Sequence, residues 1–364
     1  MHKYIKFLAL AFLAILILWF FGRSLNWTEV WSSLRKANSL QLVLATSIIC
    51  LGYLLRAFRW KTLLAPITKS SLRELFATTT VGFAAVFLFG RAAEVVRPLW
   101  LPLRDKRVRP SAALVTIGVE RIFDLVAIAL VFALNLLWFR APLGREAEFV
   151  AVNRAGFLIL AGTALGIVAL VIFQHFAAPI INKVEALLGK LSLPKKLSGA
   201  FINLLNHLAA SLQILRNPRE LSLTVMWTIA LWFAIALPTW LVINAFGLPL
   251  TFSDALFVMG AASLGSLVPT PGGAAGAFHA VTAGALVSLS VNREDAAAVA
   301  IVMHLVYFAP ALIFGFYYFL HGDITWEKLR SLVISDENAP ETQLKTQNER
   351  PKIEDQNFSH FTAH

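Results

Sequence analysis

Two clusters of charge sit inside apolar sequence. Arg91, Glu94 and Arg97 recur at i, i+3 and i+6, so on a helix they share one broad face. Glu120, Arg121 and Asp124 form the second cluster, with Glu120 and Asp124 one helical turn apart. A charge at the centre of a bilayer costs about 2.5–3.5 kcal/mol on insertion scales. Two such clusters in neighbouring apolar segments therefore call for mutual pairing or a wet cavity. The pairs expected are Arg121 with Glu94, and Arg91 or Arg97 with Asp124. One reading is an ion-pair lattice that pins one segment to another. The other is a polar cavity in which arginine grips an anionic headgroup, because its planar fork matches phosphate. The two readings are compatible.

A third feature is Pro269-Thr270-Pro271-Gly272-Gly273, in the middle of the apolar stretch 252–289. Proline lacks the N–H and clashes with the preceding turn, and glycine costs about 1 kcal/mol against alanine in a helix. The apolar flanks indicate membrane and the centre indicates a broken helix. Broken backbone survives in lipid only where protein buries it or a polar cavity receives it, and discontinuous helices mark many transporter sites. A proline kink or a surface loop is the plainer alternative. His279 follows the break and His304 lies in the last apolar run. They read as polar lining, since neither has metal-ligand spacing to Cys, Asp or Glu. No metal and no cofactor are expected. The chain has no phosphate-binding loop, no G-x-S-x-G and no H-E-x-x-H, which argues against a conventional enzyme. The single cysteine, Cys50, excludes an internal disulfide.

The elements that must position these residues are membrane helices. The 364 residues are 58% hydrophobic and 15% charged, with mean hydropathy +0.69. Soluble domains average about 45–50% apolar and about 25% charged. The net charge of +11 sits beside apolar runs, so it reads as a topology signal and as contact with anionic lipid, not as a nucleic-acid site.

The expected fold is an all-α polytopic membrane protein of about six spans and two re-entrant helical hairpins. The spans fall near 4–21, 40–55, 112–138, 157–176, 221–246 and 296–320. The first resembles a signal peptide, but no small-x-small cleavage site follows, so it reads as a retained span. A short amphipathic helix is expected near Trp27–Leu34. Arg56, Arg59, Trp60 and Lys61 read as an inner boundary after the second span. The apolar part of 72–103, about 75–89, is short against the roughly 20 residues a span needs, and both its flanks are basic. It therefore reads as a hairpin entering from inside. The Pro-Gly segment, with flanks poor in Lys and Arg, reads as a hairpin entering from outside. Residues 1–320 form one membrane domain, with halves 1–140 and 154–320 and an inner amphipathic segment at 179–218 carrying a leucine stripe from Leu197 to Leu215. Each half runs span, span, hairpin, span from opposite sides, which is an inverted-topology repeat. Both termini are expected inside, and residues 321–364 read as a polar, disordered tail.

LRAFRWKTLL at Leu55–Leu64, GRAAEVVRP at Gly90–Pro98, VERIFDL at Val119–Leu125 and VPTPGGAAGAFH at Val268–His279 occur in the order of one family's signatures. Over residues 4–320 the chain resembles the lysylphosphatidylglycerol synthase transmembrane region, also called the flippase-like family. The resemblance implies a bacterial or archaeal inner-membrane protein with two re-entrant hairpins around a lipid cavity. In two-part members this region moves an aminoacylated lipid between leaflets while a soluble domain attaches the amino acid. That domain does not follow here, so synthase activity is expected to be absent. The positions matching the family are Arg91, Glu94, Arg97, Glu120, Arg121, Asp124, Pro269, Pro271, Gly272 and Gly273. His279 and His304 depart from it, standing where the family usually has glutamate and often has arginine. If the two face each other, an ion pair has become a histidine pair that would answer to pH.

The leading functional expectation is a flippase-like transporter that moves or binds a phospholipid or lipid-linked substrate with an anionic headgroup. One alternative is an integral-membrane enzyme of lipid or lipid-linked sugar modification, with Glu94, Glu120 or Asp124 as base. Another is an accessory subunit of such an enzyme. Self-association or a lipid-modifying partner enzyme fits any of these.

Overall fold

A computed structural model describes residue 12, residues 15–190 except 24, 66, 67, 143 and 145, scattered residues between 198 and 212, and residues 216–322. The first expected span falls partly outside the described residues, the leucine stripe of 197–215 largely so, and the tail from 323 onward wholly so. The described elements are all helical. After helical residues 15–22 come α1 (Trp27–Lys36), α2 (Ser39–Leu64), α3 (Leu72–Phe89), a 3-10 turn (Arg91–Val95), α4 (Val96–Arg104), α5 (Pro110–Trp138) and α6 (Glu146–His175). They are followed by α7 (Ala177–Lys190), α8 (Pro218–Ala245), α9 (Phe252–Gly265), α10 (Ala275–Ser288) and α11 (Arg293–Leu320).

Among the described residues, five helices are long and apolar enough to cross a membrane: α2, α3, α6 from Phe149, α8 and α11. Two differences from the sequence expectation follow. Helix α3 starts at Leu72, capped by the Ser71 hydroxyl, and reaches spanning length as one straight element. Helix α2 does not stop near residue 55 but runs on to Leu64, carrying Arg56 and Arg59 into the protein. Helix α5, 29 residues long, holds Glu120, Arg121 and Asp124 in its first half.

Small residues let the helices approach. In lipid there is little hydrophobic gain from pairing apolar helices, so association rests on close packing and on polar contacts. Helix α2 lies along α8, with Gly52 against Leu231 and Ala234. Helix α3 lies along α11, where a Cβ on Gly315 would sit 2.5 Å from Ala84 Cβ and 2.7 Å from the Thr80 carbonyl. A larger core runs from Ile49 and Tyr53 of α2 through Val242 and Ile243 of α8 to Met303 of α11, and includes Phe257 and Phe278. A smaller core joins Trp60, Leu75, Leu101 and Ile117 around the inward charges. Helix α1 is tied to the start of α11 by the Ser33 hydroxyl, which donates to Asp295, and by Val30 against Ala297 and Ala298.

Two helix-break-helix units carry the expected site residues. In the first, α3 ends at Gly90, whose φ of +77° suits glycine, and the chain turns through the 3-10 segment into α4. In the second, α9 and α10 have 14 residues each, about 21 Å, which is short of the roughly 30 Å hydrocarbon core. The breaks of the two units touch. Gly273 N–H donates to the Phe87 carbonyl at 2.9 Å. A Cβ on Gly90 would sit 3.2 Å from the Thr270 carbonyl, and one on Gly273 2.9 Å from the Phe87 ring.

At the other end of α4, Asp105 closes the loop into α5. It accepts from Ser70 Oγ at 2.8 Å and from Arg107 Nε and Nη2 at 2.8 Å each. The Arg107 hydrogen bonds, followed by that from Ser70, hold its carboxyl down at about 2.

Gly315→Val forces the α3–α11 contact apart. Overpacking of this kind costs about 1–3 kcal/mol, and thermal unfolding in detergent should show a clear fall in Tm, while Gly118→Ala, with open space around it, should show none. For Asp105 the folded value is depressed, so its contribution is complete above about pH 4 and is lost as pH falls toward about 2. Asp105→Asn should flatten the pH dependence of Tm in that window and leave its slope at neutral pH unchanged.

Candidate functional site

Arg59 is fully buried on α2. Its Nη1 donates to Asp124 Oδ1 at 2.7 Å and to Thr228 Oγ1 of α8 at 3.3 Å, and its Nη2 lies 3.1 Å from Glu120 Oε1. Arg97, on α4, donates through Nη1 and Nη2 to the two oxygens of Glu120 at 3.2 and 3.0 Å. Such a two-pronged pairing is the strong form of the arginine–carboxylate contact. Arg121 Nη2 lies 3.2 Å from Glu120 and 3.4 Å from Asp124, and Arg56 lies 4.0 Å from Asp124.

Local sequence explains this convergence. Glu120 and Asp124 are one turn apart on α5, and Arg56 and Arg59 are three residues apart on α2, so each pair points one way. Gly82 on α3 lets Arg97 pass beneath it, since a Cβ there would lie 2.1 Å from Arg97 Cγ. The guanidinium of Arg97 then sits 4.5 Å from the Trp60 ring centroid, and Trp60 Nε1 is fixed by Thr116 at 3.0 Å.

The expected pairing is corrected in two places. Arg97 binds Glu120, not Asp124, because α4 leaves the 3-10 turn alongside the earlier of the two carboxylates. Asp124 is taken by Arg59, which had been read as an inner-boundary residue. Glu94 and Arg121 line one cavity with Arg97, Gly82, Phe83, Val86 and Ile117. Arg91 opens the 3-10 turn, and its side chain lies outside the description. The cavity is about 20 Å³, room for a single water and too small as it stands to hold a headgroup.

Four arginines, at 56, 59, 97 and 121, thus meet three carboxylates, at 94, 120 and 124. Donors are in excess: among the described residues the buried Nε atoms of Arg59, Arg97 and Arg121 have no hydrogen-bond partner. Arg121 keeps about a third of its side chain exposed, the most of these four.

The second group of expected residues is separate. Pro269, Pro271, Gly272 and Gly273 form the break between α9 and α10, with positive φ at Gly272, Gly273 and Ala274. His279 and His304 face each other, ring centroids 4.8 Å apart. The two groups approach each other at the end of α3, where Val86 lines the charged cavity and Phe87 receives Gly273.

The geometry defines a class: a helical membrane protein whose interior charges are locked between broken helices. A family model described as the lysylphosphatidylglycerol synthase TM region matches residues 6–315, and the chain belongs to that family. It is thus a membrane protein tied to lipid metabolism or transport. A comparison with curated proteins finds no match.

Removing one member of a buried ion pair costs about 3–5 kcal/mol, because the remaining charge is left uncompensated. Glu120→Ala and Arg59→Ala should each lower Tm strongly. The double variant should be destabilised by much less than the two single effects added together, as a double-mutant cycle reads it. Strict additivity would show that the two groups do not act as one lattice.

Proposed function

We propose that the protein is a flippase-like transporter of the inner membrane that binds a lipid with an anionic headgroup through Arg121, Arg97 and their neighbours. The observation that carries this reading is the set of buried guanidinium donors without partners among the described residues, two of them, on Arg97 and Arg121, beside a small cavity, with Arg121 about a third exposed. A phosphate offers several acceptor oxygens to such a set of forks, where a zwitterion adds a positive group that these arginines repel.

In this reading the fold has six spans and two re-entrant hairpins, α3–α4 from the inner side and α9–α10 from the outer side. The halves 1–140 and 154–320 form an inverted repeat, and both termini are cytoplasmic. Alternating access is then a matter of parting the hairpins on one side while they stay closed on the other. The twelve expected residues divide the work. Arg91, Glu94, Arg97, Glu120, Arg121 and Asp124 bind or position the headgroup, and Pro269, Pro271, Gly272, Gly273, His279 and His304 form the outer hairpin's share of the path.

The test is a leaflet-resolved assay in proteoliposomes with fluorescent lipids of anionic, zwitterionic and cationic headgroups. Transfer should be fastest for the anionic lipid. Hydrogen bonds to charged groups contribute about 1.5–3 kcal/mol, so Arg121→Ala should slow it roughly ten- to hundredfold at unchanged membrane abundance. Normal transfer by that variant removes Arg121 from the role. No transfer of any lipid by folded protein would move the weight to a lipid-modifying enzyme or an accessory subunit.

A further inference from the structure

His279 and His304 occupy a box of aromatic rings. Phe21, from helical residues 15–22, stacks on His279 at 6.0 Å. Phe87 of α3, Phe278 of α10 and Phe308 of α11 surround His304 at 5.7, 5.1 and 4.7 Å. Among the described residues the one titratable group acting electrostatically on His279 is His304, and His304 meets the backbone oxygens of Gly272 and Gly273. Tyr307, one turn further along α11, packs edge-on against Phe278 and turns its hydroxyl to Thr239. Among the described residues, no carboxylate, lysine or arginine is therefore placed to balance a charge on either imidazole.

Two polar contacts link this pair to the hairpin tips, and one ring nitrogen is left over. His304 Nε2 donates to the Gly273 carbonyl at 3.4 Å. Gly273 N–H holds the Phe87 carbonyl of the other hairpin at 2.9 Å. His279 Nε2 is buried without a partner. His279 also forms part of the wall of a cleft of about 470 Å³, with Trp19, Trp27 and Ile301 among the other walls, so one imidazole is reached from outside the box.

We propose that the His279–His304 pair is a proton-binding site that governs the contact between the two hairpin tips. The neutral pair suits its apolar box, with one N–H satisfied by Gly273. A proton added to either ring creates an imidazolium that faces a second imidazole and has no counter-ion. The first proton can be shared across the pair, and a second is opposed by like charge. An imidazolium in this box has no counter-ion and needs water, which the closed tips leave little room for. Proton uptake therefore favours a state in which the tip contact parts and water enters along the cleft. Acid opens the tips and neutral pH holds them shut. Such a switch is independent of which lipid the protein handles and of whether it moves one.

The experiment uses the full chain in lipid nanodiscs with Cys50→Ser and Thr270→Cys. Thr270 is 1% exposed, and its carbonyl abuts Gly90 at the tip contact. Labelling by a water-soluble methanethiosulfonate is compared with and without His279→Gln and His304→Gln at each pH, so the thiol's own ionisation cancels. At about pH 8 the two backgrounds should label equally; at about pH 4 the histidine background should label at least about tenfold faster. Equal rates in the two backgrounds at both pH values would overturn the proposal. Should the double variant fail to elute as a single folded species, His279→Gln alone is used. The intact protein labelled with ¹⁵N-histidine gives a second, independent readout. The pair should take up one proton as a unit, and resonances from both rings that stay fixed between about pH 8 and about pH 4 would equally sink it.

Discussion

The guanidinium of Arg59 sets the constraint on which the inner half of the structure depends. It is fully buried and bridges Glu120, Asp124 and Thr228, so it joins α2, α5 and α8 at one point. Desolvating such a group is costly, and the cost is offset only while every partner is present. The rotation of α5 about its own axis is thereby fixed, since both carboxylates on its inward face must reach the same arginine. Once α5 is fixed, Arg121 is too, and Arg97 has one place left, beneath Gly82 and over Trp60. The geometry of the candidate site is thus a consequence of satisfying one buried charge.

The hairpin tips meet a different demand. A helix that stops inside a membrane protein leaves backbone groups without partners, and lipid offers none. The end of α3 and the start of α10 meet part of that need in each other: Gly273 N–H takes the Phe87 carbonyl, and Gly90 N–H takes Val86 within its own helix. Close approach is possible because Gly90 and Gly273 face the opposing chain, where a side chain would strike backbone or ring. The contact is made by backbone and an aromatic ring, without a charged side chain.

Much of this was legible in the sequence, for definite reasons. The charges at 94, 97, 120, 121 and 124 stand out because apolar sequence makes them expensive, and expense implies partners. The break at Pro269–Gly273 is legible because proline and glycine act on the backbone locally. Arg59 was misread. It follows Arg56 and precedes Trp60 and Lys61, and that basic, aromatic run has the composition of a membrane boundary. The clue available was spacing: Arg56 and Arg59, three apart on a continuing helix, share a face, and Glu120 and Asp124 supply a matching face. Which carboxylate takes which arginine was not legible, because that depends on the depth of α4 after the 3-10 turn, a tertiary quantity. The facing of His279 and His304 was posed as a condition and is met at 4.8 Å.

The closed form of the lattice bears on how a headgroup would compete for it. Glu120 engages Arg97, Arg59 and Arg121 together, so any anion entering must either displace a carboxylate or use the donors that carboxylates leave spare. Displacement would strand a buried charge and is the costlier route. The spare donors are the Nε atoms of Arg97 and Arg121, two arginines that line the small cavity beside Glu94. Arg59 is fully buried between the carboxylates, while Arg121 is about a third exposed. In the transport reading, binding adds oxygens to an intact lattice. The cavity need then widen only on the Arg121 side, leaving α2, α5 and α8 pinned through Arg59.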